Sequence, residues 1–165
     1  MEADLLKKNI MLFILLLTLI TAAGCTNQEV NIPDTAPDFI QKSDFHNIDW
    51  QKKAVEFGEY GVIGNENKSG VIGADMPSLD RQKWMWHLWD VPPNEELTIV
   101  GFHKETQKVS PLLLEDSWSL ILSGPNNGAD SHSPSSVRIP QKGEWAILLY
   151  IDNKLFDTLI YEINE

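Results

Sequence analysis

From Phe45 to the end of the chain, apolar residues recur in short runs, unbroken or alternating, and each run stops at a cluster of Gly, Pro, Asn or Asp. Alternation places successive side chains on opposite faces of a strand, and those four residue types supply turns. The pattern predicts strands at 54–60, 61–64, 70–73, 84–89, 97–103, 119–122, 136–139, 144–151 and 155–163. No window sustains a helical period, although 48–57 has room for a turn or two of helix. Gly61-Val62-Ile63-Gly64 and Gly70-Val71-Ile72-Gly73, joined by a polar segment, read as a hairpin. A longer hairpin flanks Asp152-Asn153-Lys154, and both its strands are apolar on two faces, so it needs cover on each side. Short strands at this spacing predict an all-β fold, a two-layer antiparallel β-sandwich.

The N-terminus has a different pattern. Lys7 and Lys8 precede 10–20, which is apolar apart from Thr18. A membrane-crossing helix needs about 20 apolar residues, so the run reads as a secretion signal peptide. It ends in Ala22-Ala23-Gly24-Cys25, which is similar to the lipobox of bacterial lipoproteins. The resemblance implies cleavage before Cys25, acylation of its thiol by palmitate-type chains, and attachment to the extracytoplasmic face of the cell membrane. Thr26 to Gln41 is polar and punctuated by Pro33 and Pro37, the composition of a flexible tether. The expected organisation is a signal peptide at 1–24, a lipidated cysteine and tether at 25–43, and a sandwich domain at 44–165.

Removing 24 of the 165 residues leaves 141, enough for one domain with a real core. The formal charge stays at −11, because the leader holds two acids and two lysines. That argues against nucleic acid, and against a basic patch docking on anionic lipid, since both need positive charge to meet phosphate. Cys25 is the only cysteine, so no disulfide forms within the chain and stability has to come from packing.

Three Trp residues crowd into Lys83-Trp84-Met85-Trp86-His87-Leu88-Trp89. On a strand, Trp84, Trp86 and Leu88 share one face, and Met85, His87 and Trp89 the other. They are either a strand buried on both faces or, with one face outward, a stacking platform for a sugar or peptide. The segment 123–140 reads as a long polar loop, where function often lies, and it carries Asn126, Asn127, Asp130 and His132. Asp130 and His132, joined by His87 or His103, are the residues a metal could use, but no short-spaced ligand motif accompanies them. The serines near His132 lack the elbow of a nucleophile. Metal, cofactor and catalytic residues are therefore expected to be absent, and Trp84, Trp86, His87, Trp89, Asn126, Asn127, Asp130 and His132 are the candidate ligand-binding set.

Two family resemblances add to this reading. Gly143-Glu144-Trp145, leading into an apolar strand, a tight turn and a last strand, is similar to the closing hairpin of bacterial immunoglobulin-like domains. The aromatic segment, Gly124 to Ser136 and the Trp145 hairpin together resemble an uncharacterised family of surface lipoproteins from Gram-positive bacilli. That resemblance implies an exported immunoglobulin-like β domain and brings no catalytic residue. The expectation is a membrane-anchored lipoprotein whose domain binds a cell-wall polymer or an exported protein. The alternative is an inhibitor or accessory domain for an exported enzyme, and a third reading is a metal-dependent hydrolase.

Overall fold

The protein is described by a computed structural model at residues 29–73 and 79–164. The expected signal peptide and lipidation site, Cys25, lie outside the described residues. Two antiparallel sheets form a sandwich. In the first, β1 (Val55–Phe57), β2 (Val62–Asn65), β3 (Ser69–Ile72) and β4 (Gln82–Leu88) run as a meander, closed by β8 (Ser131–Val137) on the far side of β4. In the second, the order is β10 (Lys154–Ile163), β9 (Gly143–Ile151), β5 (Glu96–His103) and β6 (Lys108–Pro111), with β7 (Ser119–Ile121) also paired to β5. The immunoglobulin likeness extends to two packed sheets and a terminal hairpin. The strand order, with four consecutive hairpin partners in one sheet, differs from the ABED and CFG sheets of that fold.

The β9–β10 hairpin forms as its sequence dictates. Asp152 and Asn153 take φ of 50° and 59°, the left-handed pair that a two-residue turn matched to strand twist requires. Trp145, Ile147 and Leu149 of β9 face the first sheet across the main core, where they join Trp84, Trp86, Leu88, Leu159 and Tyr161. Ala146, Leu148 and Tyr150 face the other way and are equally buried.

Their cover is the chain's own N-terminal segment. Val30, Ile40 and Phe45 pack on Val100, Phe102, Leu148 and Ile160, with Ile32, Phe39, Ile48 and Trp50 around them. Phe45 lies on α1 (Ser43–His46), a single turn, with its ring centroid 4.7 Å from that of Phe102. Asn31 bridges to Lys108 in parallel, its N–H donating to the Gln107 carbonyl at 2.9 Å while its own carbonyl accepts from Val109 at 3.0 Å. The tether expected up to residue 43 is thus a docked strap from Val30 onward. Its spaced apolar residues, isolated among prolines and acids, fit an exposed sheet face one at a time.

One further expectation needs correction. The polar segment 123–140 is mostly structured, because β8 occupies Ser131–Val137 and pairs along the length of β4. Before it, Asn126 and Ala129 exchange backbone hydrogen bonds at 3.1 and 2.9 Å around Asn127 and Gly128, whose φ of 50° and 84° mark a tight hairpin turn. Gly64 and Gly70 are paired across β2 and β3. A Cβ on Gly64 would sit 2.2 Å from the Ser69 carbonyl oxygen, so only glycine permits this approach.

Candidate functional site

The aromatic strand divides as its period predicts. Trp84 and Trp86 are core residues, 1% and 0% exposed, with no face left for a stacked ligand. Their indole N–H groups donate to side chains, Trp84 to Gln82 Oε1 at 2.9 Å and Trp86 to Ser135 Oγ at 2.8 Å. Opposite them on β8 stand Ser135 and Ser133, small enough to leave room for the indoles. These two tryptophans therefore leave the candidate binding set, because in-facing positions of a sandwich fill with the largest apolar groups available.

The opposite face brings together His87, Trp89, Asn126, Asn127 and His132. His87 pairs with His132 across β4 and β8, with ring centroids 6.4 Å apart and 28° between planes. His87 is fully buried, while His132, Asn126, Asn127 and Trp89 are half-buried. The Met85 carbonyl, 3.1 Å from His87 Nδ1, can only accept, so Nδ1 carries the proton. Nε2 then offers a lone pair to the Asn127 amide, which donates at 3.2 Å. Burial holds the His87 pKa below its ordinary value; the Met85 carbonyl opposes this and the nearby His132 adds to it. His132 Nδ1–H donates to the Gly124 carbonyl at 2.7 Å, and Asn126 Nδ2 lies 3.4 Å from Met85 Sδ. Trp89 leans on Phe57 of β1 with centroids 5.6 Å apart.

Asp130 is exposed and turns away from this group. Its carboxylate accepts the Asp90 N–H at 2.8 Å and fixes the β4–β5 connection, where Asp90 has a φ of 58°. His103 is elsewhere, in the second sheet, with Nδ1 toward Thr106 and Nε2 toward the Lys142 carbonyl and Glu105. Among the described residues, no group of three or more His, Cys, Asp or Glu side chains is placed to hold a metal ion. The rim built from His132, Asn126, Asn127 and Trp89 offers amide and imidazole hydrogen bonds beside an indole, which suits a polar ligand with a flat apolar face.

Sequence reasoning missed a second polar centre. Asp157, 6% exposed, projects from β10 at a register shift between Leu155 and Asp157. Asn65 Nδ2 lies 3.0 Å from both its oxygens, Ser69 Oγ donates to Oδ2 at 2.6 Å, and Lys68 Nζ stands 3.7 Å from Oδ1. The cluster ties the β2–β3 turn of one sheet to the edge strand of the other. Burial, and then the Asp157 charge, raises the pKa of Tyr161. A cleft of about 480 Å³ opens beside it between strap and β10, walled by Asp44, Ile48, Lys52, Lys68, Phe156 and Asp157.

Comparison with known proteins agrees on fold and family. A crystal structure of a candidate lipoprotein from Bacillus anthracis superposes with a TM-score of 0.63 at 20% identity, covering 78% of this chain and 96% of that one. At that identity the likeness concerns the fold. No curated protein sequence matches the chain. Among the described residues no helix is long and apolar enough to cross a membrane. A family model of a domain of unknown function, DUF4871, matches residues 39–161, from the second half of the strap to the last strand, and the chain belongs to that family.

Proposed function

We propose that this protein is an envelope lipoprotein, held on the extracytoplasmic face of the cell membrane by acyl chains on Cys25, whose sandwich is a non-catalytic binding module. Support for the anchor is the lipobox-like Ala22-Ala23-Gly24-Cys25 together with the candidate lipoprotein that shares the fold. Two acyl chains suffice to keep a domain of this size on a bilayer, at about 0.8 kcal/mol for each buried CH₂. The binding reading rests on one observation: half-buried His132, Asn127 and Trp89 gathered at one end of the first sheet over a buried His87. The ligand class is a cell-wall polymer, whose sugars present hydroxyls around an apolar ring face.

Mass spectrometry of the membrane-extracted protein tests the anchor, with an acylated Cys25 at the N-terminus as the expected species. Sedimentation with purified cell walls tests the rim, and a combined Trp89→Ala, Asn127→Ala and His132→Ala variant should lose most of the binding while keeping the wild-type circular dichroism. A second reading, an accessory or inhibitor domain for an exported enzyme, is favoured by the outer edge of the first sheet, where Val55 and Tyr60 are 58% and 56% exposed. An edge strand can accept a partner's extended segment. Loss of cell-wall binding alone, with a protein partner recovered through a Tyr60 crosslink, would favour this second reading.

A further inference from the structure

The strap has a direction as well as a place. Its bridge to β6 is parallel, so the strap runs with β6 from the β5–β6 turn toward the middle of the sheet. The chain before Glu29 therefore leaves the domain at the end that carries the turn at Glu105 to Gln107. From Cys25 to Val30 there are five residue steps, which span at most about 18 Å when fully extended. A free segment up to residue 43 would have allowed more than three times that reach.

The rim lies at the other end. Ser123 exchanges backbone hydrogen bonds with His132, and its neighbour Leu122 donates to the Glu95 carbonyl, which places His132 at the Glu96 end of β5. The eight residues of β5 separate that end from His103 by about 23 Å.

We propose that the bilayer surface is the partner of the turn end: the docked strap leaves a leash short enough to hold the β5–β6 turn against the lipid headgroups and to point the His132 rim away from the membrane. The inference rests on acylation at Cys25. It also gives the strap a purpose beyond covering apolar area, since docking shortens the reach of the anchor.

The test uses the acylated full-length protein in vesicles of phosphatidylglycerol and phosphatidylcholine carrying a rhodamine headgroup acceptor. Single-site donors are placed by Glu105→Cys at the turn end and Glu66→Cys at the rim end; both positions are exposed. Energy transfer should be stronger from position 105, corresponding to a height difference of roughly 20 Å. Equal transfer from the two sites on vesicle-bound protein would overturn the orientation and leave the anchor intact. Failure of the protein to sediment with vesicles, with Cys25 itself taking up label, would overturn the anchor and the orientation together. A 15-residue Gly-Ser spacer inserted before Glu29 should erase the difference, and its persistence would show that the leash is not the cause.

Discussion

The outer faces of the two sheets contrast. On the second sheet, Val100, Phe102, Leu148, Tyr150 and Ile160 form an apolar surface, and the strap buries it with Val30, Ile40 and Phe45. On the first sheet, the corresponding face holds Met85, His87, Trp89 and His132, and among the described residues its cover is the Asn126–Ala129 turn and the contact of Phe57 with Trp89. A face that is apolar throughout needs a lid, and this chain supplies one from its own N-terminus. The face with amides and imidazoles remains half open, which is why the binding reading falls there.

The largest expected effect breaks the lid. Phe45→Ala removes a ring that is 4% exposed and packed on Phe102, and should cost about 3–5 kcal/mol in urea unfolding. Trp89→Ala on the open face should cost clearly less, because the indole is only half-buried. Equal losses would mean that the two faces are covered alike.

The next effect tests the tie between the sheets. Asp157→Ala leaves the Ser69 hydroxyl buried without its acceptor and the Asn65 amide with the Thr158 carbonyl, 3.0 Å away, in place of the carboxylate, a penalty of about 1–3 kcal/mol, more because the lost acceptor is charged. Asp157→Asn keeps one carbonyl oxygen and should recover part of the loss. Hydrogen exchange should show the β2–β3 turn opening first in the alanine variant, since Asp157 supplies most of the side-chain bonds that connect it to β10, beside the Asn65 bond to the Thr158 carbonyl.

How much of this was legible in the chain differs between the same regions. The β9–β10 hairpin and the alternation of Trp84 and Trp86 against His87 and Trp89 could be read, because each residue's apolar character matched its face. β8 could not, since Ser131-His132-Ser133-Pro134-Ser135 reads as loop. Its small hydroxyl residues are in-facing partners of Trp84 and Trp86, and Pro134 is tolerated on an edge strand. Asn127-Gly128 was the missed signal, a strong two-residue hairpin sequence inside a segment read as irregular. The strap escaped notice because its apolar residues have no period of their own and follow the surface they cover. Asp157 carried a faint signal, an acid in phase with the core residues Leu159, Tyr161 and Ile163. Of the candidate site, the residues were legible and their convergence was not, as pairing of β4 with β8 is a tertiary fact.

A smaller effect concerns pH on the open face. The His87 pKa lies below its ordinary value of 6.5 in the folded protein, so the unfolded chain binds the proton first. Stability should therefore fall as pH drops below about 6.5, and level off once pH passes the folded-state pKa. The slope contributed by this one group is at most about 1.4 kcal/mol per pH unit. Midpoints of urea unfolding between pH 7.5 and 5 should show a steeper decline for the wild type than for His87→Gln, which cannot titrate. Identical slopes would remove His87 from the account of that face.

The smallest effect returns to the covered side. Lys53 and Lys104 both pair with Glu144, whose side chain is 23% exposed, and Lys104 also lies 5.1 Å from the centroid of Trp50. Exposed pairs contribute about 0–1 kcal/mol and weaken in salt. Lys53→Ala should change stability by less than about 0.5 kcal/mol, since Lys104 keeps Glu144 paired. Lys104→Ala should cost more, because it removes the ion pair and uncovers the Trp50 ring at the margin of the strap. If high salt abolishes the difference between the two variants, charge alone holds this margin. If the difference persists in salt, the lysine's contact with the ring secures the strap here, as apolar contact does beneath it.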